Sequence, residues 1–225
     1  SLMVGDSTYQ RIKSLATAHD ASVLTFFLGA LHVYFSRVYA QDDLVIGIAS
    51  HNRSNAAERK LVGVLVNVLA LRLSHRGEAV SFADLMRRIA ADLRRAYRHR
   101  EFPAIQLTRE LQLLERGRRR LFDIGFNYQL LDFSERIDGE PFQTRYFDRD
   151  ATETPLSINL LDYGGQQDVV LQVGYHRGYF EEWEIAEFLE SFDAITDALL
   201  DNPDACIGSV PLVSERQKST QLLHW

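Results

Sequence analysis

The sequence predicts an α/β fold, one compact unit in which helices and strands alternate along the chain. Stretches with apolar residues at helical spacing interleave with short β-branched runs and one run of strict alternation. With 225 residues, 46% of them hydrophobic and 25% charged, the chain can close a substantial core, which excludes a disordered tail or a fibre. Its middle carries no Pro/Gly/Ser-rich linker and no low-complexity stretch, and no internal repeat of solenoid length is present.

Each element has its own signal. Asp6-Ser7 opens a helix: both are capping residues, Ile12, Leu15 and Ala16 then share one face, and the end falls near His19-Asp20. Ser22 caps a second helix to about Tyr39 that is apolar nearly all round, as a helix buried between layers is. Its densest stretch, Val23 to Tyr34, is far shorter than the ~20 residues that span a bilayer, so burial in protein is expected and no membrane. Asp43 to Ala49 is short, β-branched and bounded by turn formers, which predicts an interior strand, and a polar loop follows from Ser50 to Lys60.

Leu61 to Leu73 is a long β-branched apolar run and is assigned mainly to a strand. A period of two puts Leu65, Asn67, Leu69, Leu71 and Leu73 on one face. Asn67 is then an amide among leucines, which costs ~1–3 kcal/mol if unpaired. Either it bonds to neighbouring backbone or it faces a polar cavity, and the sequence leaves both open. Ser81 begins a helix with Phe82, Leu85, Ile89 and Leu93 on its inner stripe and arginines outside, ending near Tyr97. Pro103 is expected as the first residue of a short helix through Leu114.

From Leu121 to Leu130 the residues Phe122, Ile124, Phe126, Tyr128 and Leu130 face one way and Asp123, Asn127 and Gln129 the other, a half-buried strand. Pro155 to Leu161 and Asp168 to Tyr175 flank Asp162-Tyr-Gly-Gly-Gln-Gln, a hairpin whose glycines supply positive φ. A last helix from Glu181 to about Leu200 carries Ile185, Phe188, Leu189, Phe192, Ile195 and Leu199 at helical spacing, and Asn202-Pro203 stops it.

Most catalytic signatures are missing. The chain has no G-x-G-x-x-G, P-loop, G-x-S-x-G or H-E-x-x-H. Its seven histidines are scattered, and none is adjacent to another or followed by Asp four residues on, so they read as surface or packing residues; His51, in the polar loop with Arg53, is the best exception. Neither Cys nor His occurs at zinc-ligand spacing, so no metal is expected. The one cysteine, Cys206, cannot form an internal disulfide and reads as a buried, inert thiol, which fits a reducing, cytoplasmic setting. The opening Ser-Leu-Met-Val-Gly-Asp lacks a basic n-region, so no secretory signal is expected, and with Met not first the chain reads as an excised segment. A net charge of −6 argues against general nucleic-acid binding. Arginines nonetheless gather between Arg87 and Arg120, which reads as an exposed helix face plus a solvated turn.

Four segments then appear in a known order. They are Ile46-Gly-Ile-Ala-Ser-His-Asn-Arg53, a strand plus loop ending in Arg; Leu61-Val-Gly-Val-Leu-Val-Asn-Val-Leu-Ala-Leu-Arg72; His99-Arg-Glu-Phe-Pro-Ala-Ile-Gln-Leu107; and Arg120-Leu-Phe-Asp-Ile-Gly-Phe-Asn-Tyr128. Together they resemble the C-terminal half of a condensation domain from a nonribosomal peptide synthetase. Ile207-Gly-Ser-Val-Pro-Leu-Val-Ser-Glu-Arg216 and Leu222-Leu-His-Trp225 resemble the connector from such a domain into an adenylation domain. Two features depart from the family pattern. The His-His-x-x-x-Asp-Gly signature has no match in this chain, and Leu65 and Ala104 stand where the family has Phe.

The resemblance implies one lobe of a fold like chloramphenicol acetyltransferase, a mixed sheet flanked by helices, at residues 1–205, with residues 206–225 as connector. It implies amide-bond formation between carrier-bound donor acyl and acceptor aminoacyl thioesters, with no catalytic residue in this chain and no cofactor bound directly. The partners it implies are the N-terminal lobe, donor and acceptor carrier proteins bearing 4'-phosphopantetheine, and the adenylation domain. Arg53, Asn67 and Arg72 are candidates for the inter-lobe face or tunnel, then Asn127 and Gln129. Arg87, Arg94, Arg98, Arg118 and Arg119 are candidates for docking an acidic carrier or its phosphate. Within the fold, an epimerisation domain or a coenzyme-A-dependent acyltransferase is the nearest rival; from another class, the rival is a non-catalytic module that recruits another protein.

Overall fold

The computed structural model describes residues 1–53, 55–75, 79–131, 136–137, 140–141, 154–165 and 168–213. In chain order the elements are β1 (Leu2–Val4), α1 (Asp6–Ala18), α2 (Val23–Tyr39), β2 (Asp43–Ser50), α3 (Ala56–Arg59), β3 (Asn67–Ser74), α4 (Phe82–Tyr97), α5 (Ala104–Glu110), β4 (Ile124–Leu130), β5 (Arg136–Ile137), β6 (Glu140–Pro141), β7 (Leu156–Asp162), β8 (Val169–Tyr175) and α6 (Glu182–Asp201), with a 3₁₀ turn at Ile207–Ser209. Six strands form one mixed sheet in the order β1-β8-β7-β4-β2-β3, and β5 and β6 pair separately. β2 and β3 are antiparallel, β4 is parallel to β2, β7 is parallel to β4, and β8 and β1 close the far edge antiparallel.

The register divides the sheet into two faces. Ile48 lies opposite Leu69 and Phe126, Phe126 opposite Ile158, and Ile158 opposite Val173, which makes a continuous apolar row. Because side chains alternate, their neighbours define the other face. There Gly47 lies opposite Ala70 and Gly125, Gly125 opposite Ser157, and Ser157 opposite Gly174. One face is built for burial and the other for polar or close contact.

The apolar face shares a single core with α1, α2, α4 and α6. α2 is its centre: every residue from Thr25 to Tyr34 is buried. Phe26 meets Phe27 and Phe82 edge-on at ring distances of 5.7 and 5.2 Å. The close approach of α2 and α4 requires Gly29, since a Cβ there would lie 2.8 Å from the Phe82 ring. Ser22 and Ser81 cap α2 and α4 as expected, accepting from the Thr25 and Asp84 amides at 3.2 and 3.1 Å.

Several boundaries differ from the sequence reading. β1 and α3 are additional elements; Asn55 caps α3 by accepting from the Glu58 amide at 2.9 Å. The long run does not enter the sheet until Asn67, because its partner strand ends where Ser50 meets Asn67. Residues Leu61 to Val66 therefore have no strand to pair with, and Val62 and Val64 are 103% and 93% exposed. Pro103 caps α5 rather than beginning it, and the helix stops at Glu110 before Gln112, whose φ is 50°. Phe122 precedes β4 and lies over Gly47 on the second face, where a Cβ would collide with its ring; Leu130, at the strand's end, is exposed.

Cys206 is exposed, against the buried thiol expected. It bridges to Ser81, and the chain beyond it is held to the helix layer by Ile207 N–H donating to the Val80 carbonyl at 2.9 Å and Arg37 donating to that of Val210 at 3.3 Å. Residues 214–225 of the expected connector, and Gln166-Gln167 of the expected hairpin turn, lie outside the described residues. Among the described residues no single helix is long and apolar enough to cross a membrane.

Candidate functional site

The candidate residues fall in three places. At the carboxyl end of β2, Arg53 folds back on its own loop and donates to the carbonyls of Glu58, of Leu61 at 2.8 Å and of Gly63 at 3.0 Å. A planar fork with several donors suits three carbonyls at once. Asn67 closes the other end of that segment: its amide nitrogen donates to the carbonyls of Arg100 at 2.7 Å and Phe102 at 2.8 Å. The backbone alternative for Asn67 is the one realised. The two side chains thus clamp Leu61 to Val66, whose valines project into solvent. Beside this ridge lies a cleft of ≈ 420 Å³ lined by Arg53, Arg59, Arg100, His51, Tyr97 and Tyr128.

Arg72 stands apart from Arg53 and Asn67. It lies toward the far end of β3 and makes a two-pronged ion pair with Asp43, one contact at 2.7 Å. Asn127 lies on the second face of the sheet, opposite Asn159, which in turn faces Gln172. The Asn127 nitrogen donates to the Asn159 oxygen at 3.4 Å. Gln129 follows on the same face, opposite Leu161. The two asparagines line a cleft of ≈ 540 Å³, with Arg119 and Arg120 at its rim and Phe122 over Gly47 as one wall.

The basic region divides in space. Arg87 and Arg94 are exposed on α4 and Arg98 at its C-cap; on the helix Arg87 pairs with Asp84 and Arg95 with Asp92. Arg118 and Arg119 belong to the second-face cleft and its neighbour. Arg118 and Arg120 both approach Asp123, each at 3.8 Å, while Arg119 makes no ion pair among the described residues.

Two buried polar clusters escaped the sequence reading. His32 Nε2 and His75 Nδ1 lie 2.7 Å apart, and His75 Nε2 is 3.3 Å from Asp42, whose carboxylate also accepts from Ser36 at 2.7 Å. With His75 Nε2–H donating to Asp42, its Nδ1 accepts from His32 Nε2–H. This leaves His32 Nδ1 buried without a partner. Burial, then the neighbouring His75, push His32 down to about 4. The separation of 43 positions between the two histidines hides the pair from any local motif. With His32 fully enclosed, the pair ties α2 to the end of the β2–β3 hairpin.

The second cluster joins α1 to the sheet. Asp162 accepts from Tyr128 at 2.8 Å, from Tyr9, and from the Gly164 amide at 2.9 Å. Burial pushes Asp162 up, but these hydrogen bonds outweigh it and hold the carboxyl below its ordinary range. Burial and the same carboxylate push the Tyr9 phenol far up. Among the described residues no group of three His, Cys, Asp or Glu side chains is placed to hold a metal ion.

Comparison with known proteins adds the relationship. The chain is 26% identical over 219 residues to surfactin synthase subunit 1 of Bacillus subtilis (strain 168), covering 97% of the chain and 6% of that protein. It is 26% identical over 213 residues to bacitracin synthase 1 of Bacillus licheniformis, covering 94% of the chain and 4% of the relative. The condensation domain of the monacolin K polyketide synthase MokA superposes with a TM-score of 0.77 at 23% identity, over 92% of this chain and 47% of that one. The first condensation domain of the CDA synthetase does so at 0.76 and 18%, over 95% and 47%. The chain thus spans about half the length of these condensation domains and a small part of the two bacterial synthases. The family model of the condensation domain matches residues 1–222, and the chain belongs to that family.

Proposed function

We propose that residues 1–205 are the C-terminal lobe of a nonribosomal peptide synthetase condensation domain and that residues 206–225 begin a connector toward an adenylation domain. The observation that carries this reading is a family match along 1–222 in a chain that spans only 47% of a whole condensation domain, with no His-His-x-x-x-Asp-Gly in it. The other lobe supplies the histidine. In the intact domain the acceptor amine attacks the donor thioester carbonyl, a C–N bond forms, the C–S bond breaks, and the departing thiolate takes up the proton that the amine gives to the histidine. Tethering makes the encounter effectively unimolecular, so orientation supplies much of the acceleration.

This lobe contributes surface and shape. Arg53 and Asn67 hold the ridge Leu61 to Val66 against the N-terminal lobe, Asn127 and Gln129 face the tunnel, and Arg72 steadies the β2–β3 hairpin. The exposed arginines of α4, Arg87, Arg94 and Arg98, and those at Arg118 and Arg119, meet acidic carrier proteins in the cytoplasm, carriers whose 4'-phosphopantetheine arms bring the substrates. The test mixes loaded donor and acceptor carriers with the intact two-lobed domain or with this chain alone and follows the amide product by intact mass. Product from the intact domain only is expected. Turnover by the lone chain would overturn the division of labour, and an inert intact domain with an undamaged histidine motif would favour the recruitment module.

A further inference from the structure

The carboxyl ends of the parallel strands β2 and β4 open onto the cleft of ≈ 420 Å³, and its charge is one-sided. Three guanidinium groups and His51 line it, and among the described residues no carboxylate does. The local fold gathers them. Asn52 turns the chain with a left-handed φ of 49°, a conformation asparagine tolerates better than most residues, and the His51 and Arg53 on either side of it both line the cleft. Asn55 caps the single turn α3 that ends in Arg59, and Arg53 ties the same turn by donating to the Glu58 carbonyl. Arg53 spends its donors on neutral carbonyls, which leaves its charge uncompensated, and Arg59 is exposed with no side-chain hydrogen bond or ion pair among the described residues. Like charges gathered without a counter-charge raise the potential of a cleft with low-dielectric walls. Such walls are present: Leu24 from the first turn of α2, Ile48 and Ala49 from β2, and Tyr128 from β4. The Tyr128 hydroxyl is committed to Asp162 at 2.8 Å, so toward the cleft this residue offers its ring, and the Asp162 charge is itself met by Tyr9, Tyr128 and the Gly164 amide.

We propose that this cleft binds a carboxylate carried on a short apolar body, in chemical class an aryl or acyl carboxylate. Arg59 meets the carboxylate, Arg53 and Arg100 supply the surrounding positive field, and the apolar part lies against Leu24, Ile48 and Tyr128. A planar guanidinium matches the two oxygens of a carboxylate, and charge-assisted bonds of this kind are the stronger hydrogen bonds a side chain can make. A bare inorganic anion leaves the apolar wall unused, and a neutral aromatic leaves the guanidinium groups uncompensated, so the two features together select an amphipathic anion. The site shares only Ala49 with the asparagine cleft on the second face. It stands independently of the lobe assignment, because every group in it belongs to this chain.

The experiment titrates the full chain, ¹⁵N-labelled, with benzoate, with its neutral isostere benzamide and with inorganic phosphate at constant ionic strength, reading the Arg59 Nε–H signal and the backbone amides of His51 to Arg53. Benzoate is expected to move these signals saturably. Benzamide, which keeps the body and loses the charge, and phosphate, which keeps the charge and loses the body, are each expected to bind at least tenfold more weakly. Arg59→Gln should weaken benzoate at least fivefold with an unchanged circular dichroism melt, since the side chain is exposed and holds nothing else. Arg59→Lys should recover part of that loss, and Arg87→Gln on α4 should change nothing. Benzamide or phosphate binding as tightly as benzoate, undiminished benzoate binding by a folded Arg59→Gln chain, shifts confined to α4, or no saturable shift at millimolar benzoate would each overturn the site.

Discussion

His32 sits where an imidazole can hold no charge cheaply. Its Nε2 is committed to His75 and its Nδ1 has no partner, so a second proton would enter the core on an unsatisfied nitrogen. Asp42 and Asp43 pull the other way but do not prevail. An unfolded imidazole protonates near 6.5 and this one only near 4, so between those values the unfolded chain binds more protons. Stability contributed by the pair is therefore complete above pH 6.5 and declines by about 3 kcal/mol as the pH falls toward 4. His32→Gln keeps a donor toward His75 Nδ1 and removes this titration. Denaturant melts at pH 7 and pH 4.5 should show a smaller acid loss in the variant than in the parent, and equal losses would refute the assignment. Nothing in the linear sequence marks His32 as special, because its partner arrives through the packing of a helix against a hairpin.

At the level of elements, periodicity was a sound guide wherever both partners of a contact lie within the chain. α2 is buried throughout Thr25 to Tyr34, α4 buries the stripe read for it, α6 buries its stripe except for the half-buried Leu189, and β3 buries Leu69, Leu71 and Leu73 together. β1 has three residues, too few to show an alternation, and α3 is a single turn. The Leu61–Val66 segment was misleading for another reason: apolar β-branched residues look alike whether they pair in a sheet or project toward something outside the chain. Phe122 reversed its face because it lies just before its strand begins. Of the candidate site, Asn67 was narrowed to two alternatives by sequence, while the Asn127–Asn159 pairing required the register of two strands 32 residues apart. Asn67→Ala removes two hydrogen bonds to backbone carbonyls and is expected to cost ~1–3 kcal/mol. In the intact domain, activity at a temperature where the variant is folded should stay within tenfold of the parent; a folded variant with a deeper loss would make Asn67 more than a clamp.

On the scale of the whole molecule, core and surface make opposite demands. One contiguous core joins the sheet to four helices, so the chain is expected to melt cooperatively on its own. Val62, Val64, Val66 and Phe102 meanwhile lie exposed around the clamped ridge. A contiguous apolar surface of this kind drives self-association when its partner is missing. Val62→Asp with Val64→Asp should reduce the sedimentation-derived mass of the chain at high concentration and leave its melting temperature nearly unchanged. A parent chain that stays strictly monomeric would contradict this.

The pairing of β1 with β8 also fixes an order of assembly. Leu2, Met3 and Val4 find their partners at Leu171, Val170 and Val169, in the last strand of the described chain. β2, β3, β4 and β7 can all be laid down before β8 exists, yet β1 has nowhere to dock until β8 has formed on β7. During synthesis this strand is thus among the last of the sheet incorporated, since its contact closes the longest loop of any strand pairing described. Until the ribosome has released residue 175, Leu2, Met3 and Val4 wait without their partner strand, and this interval is when a chaperone has the most to hold.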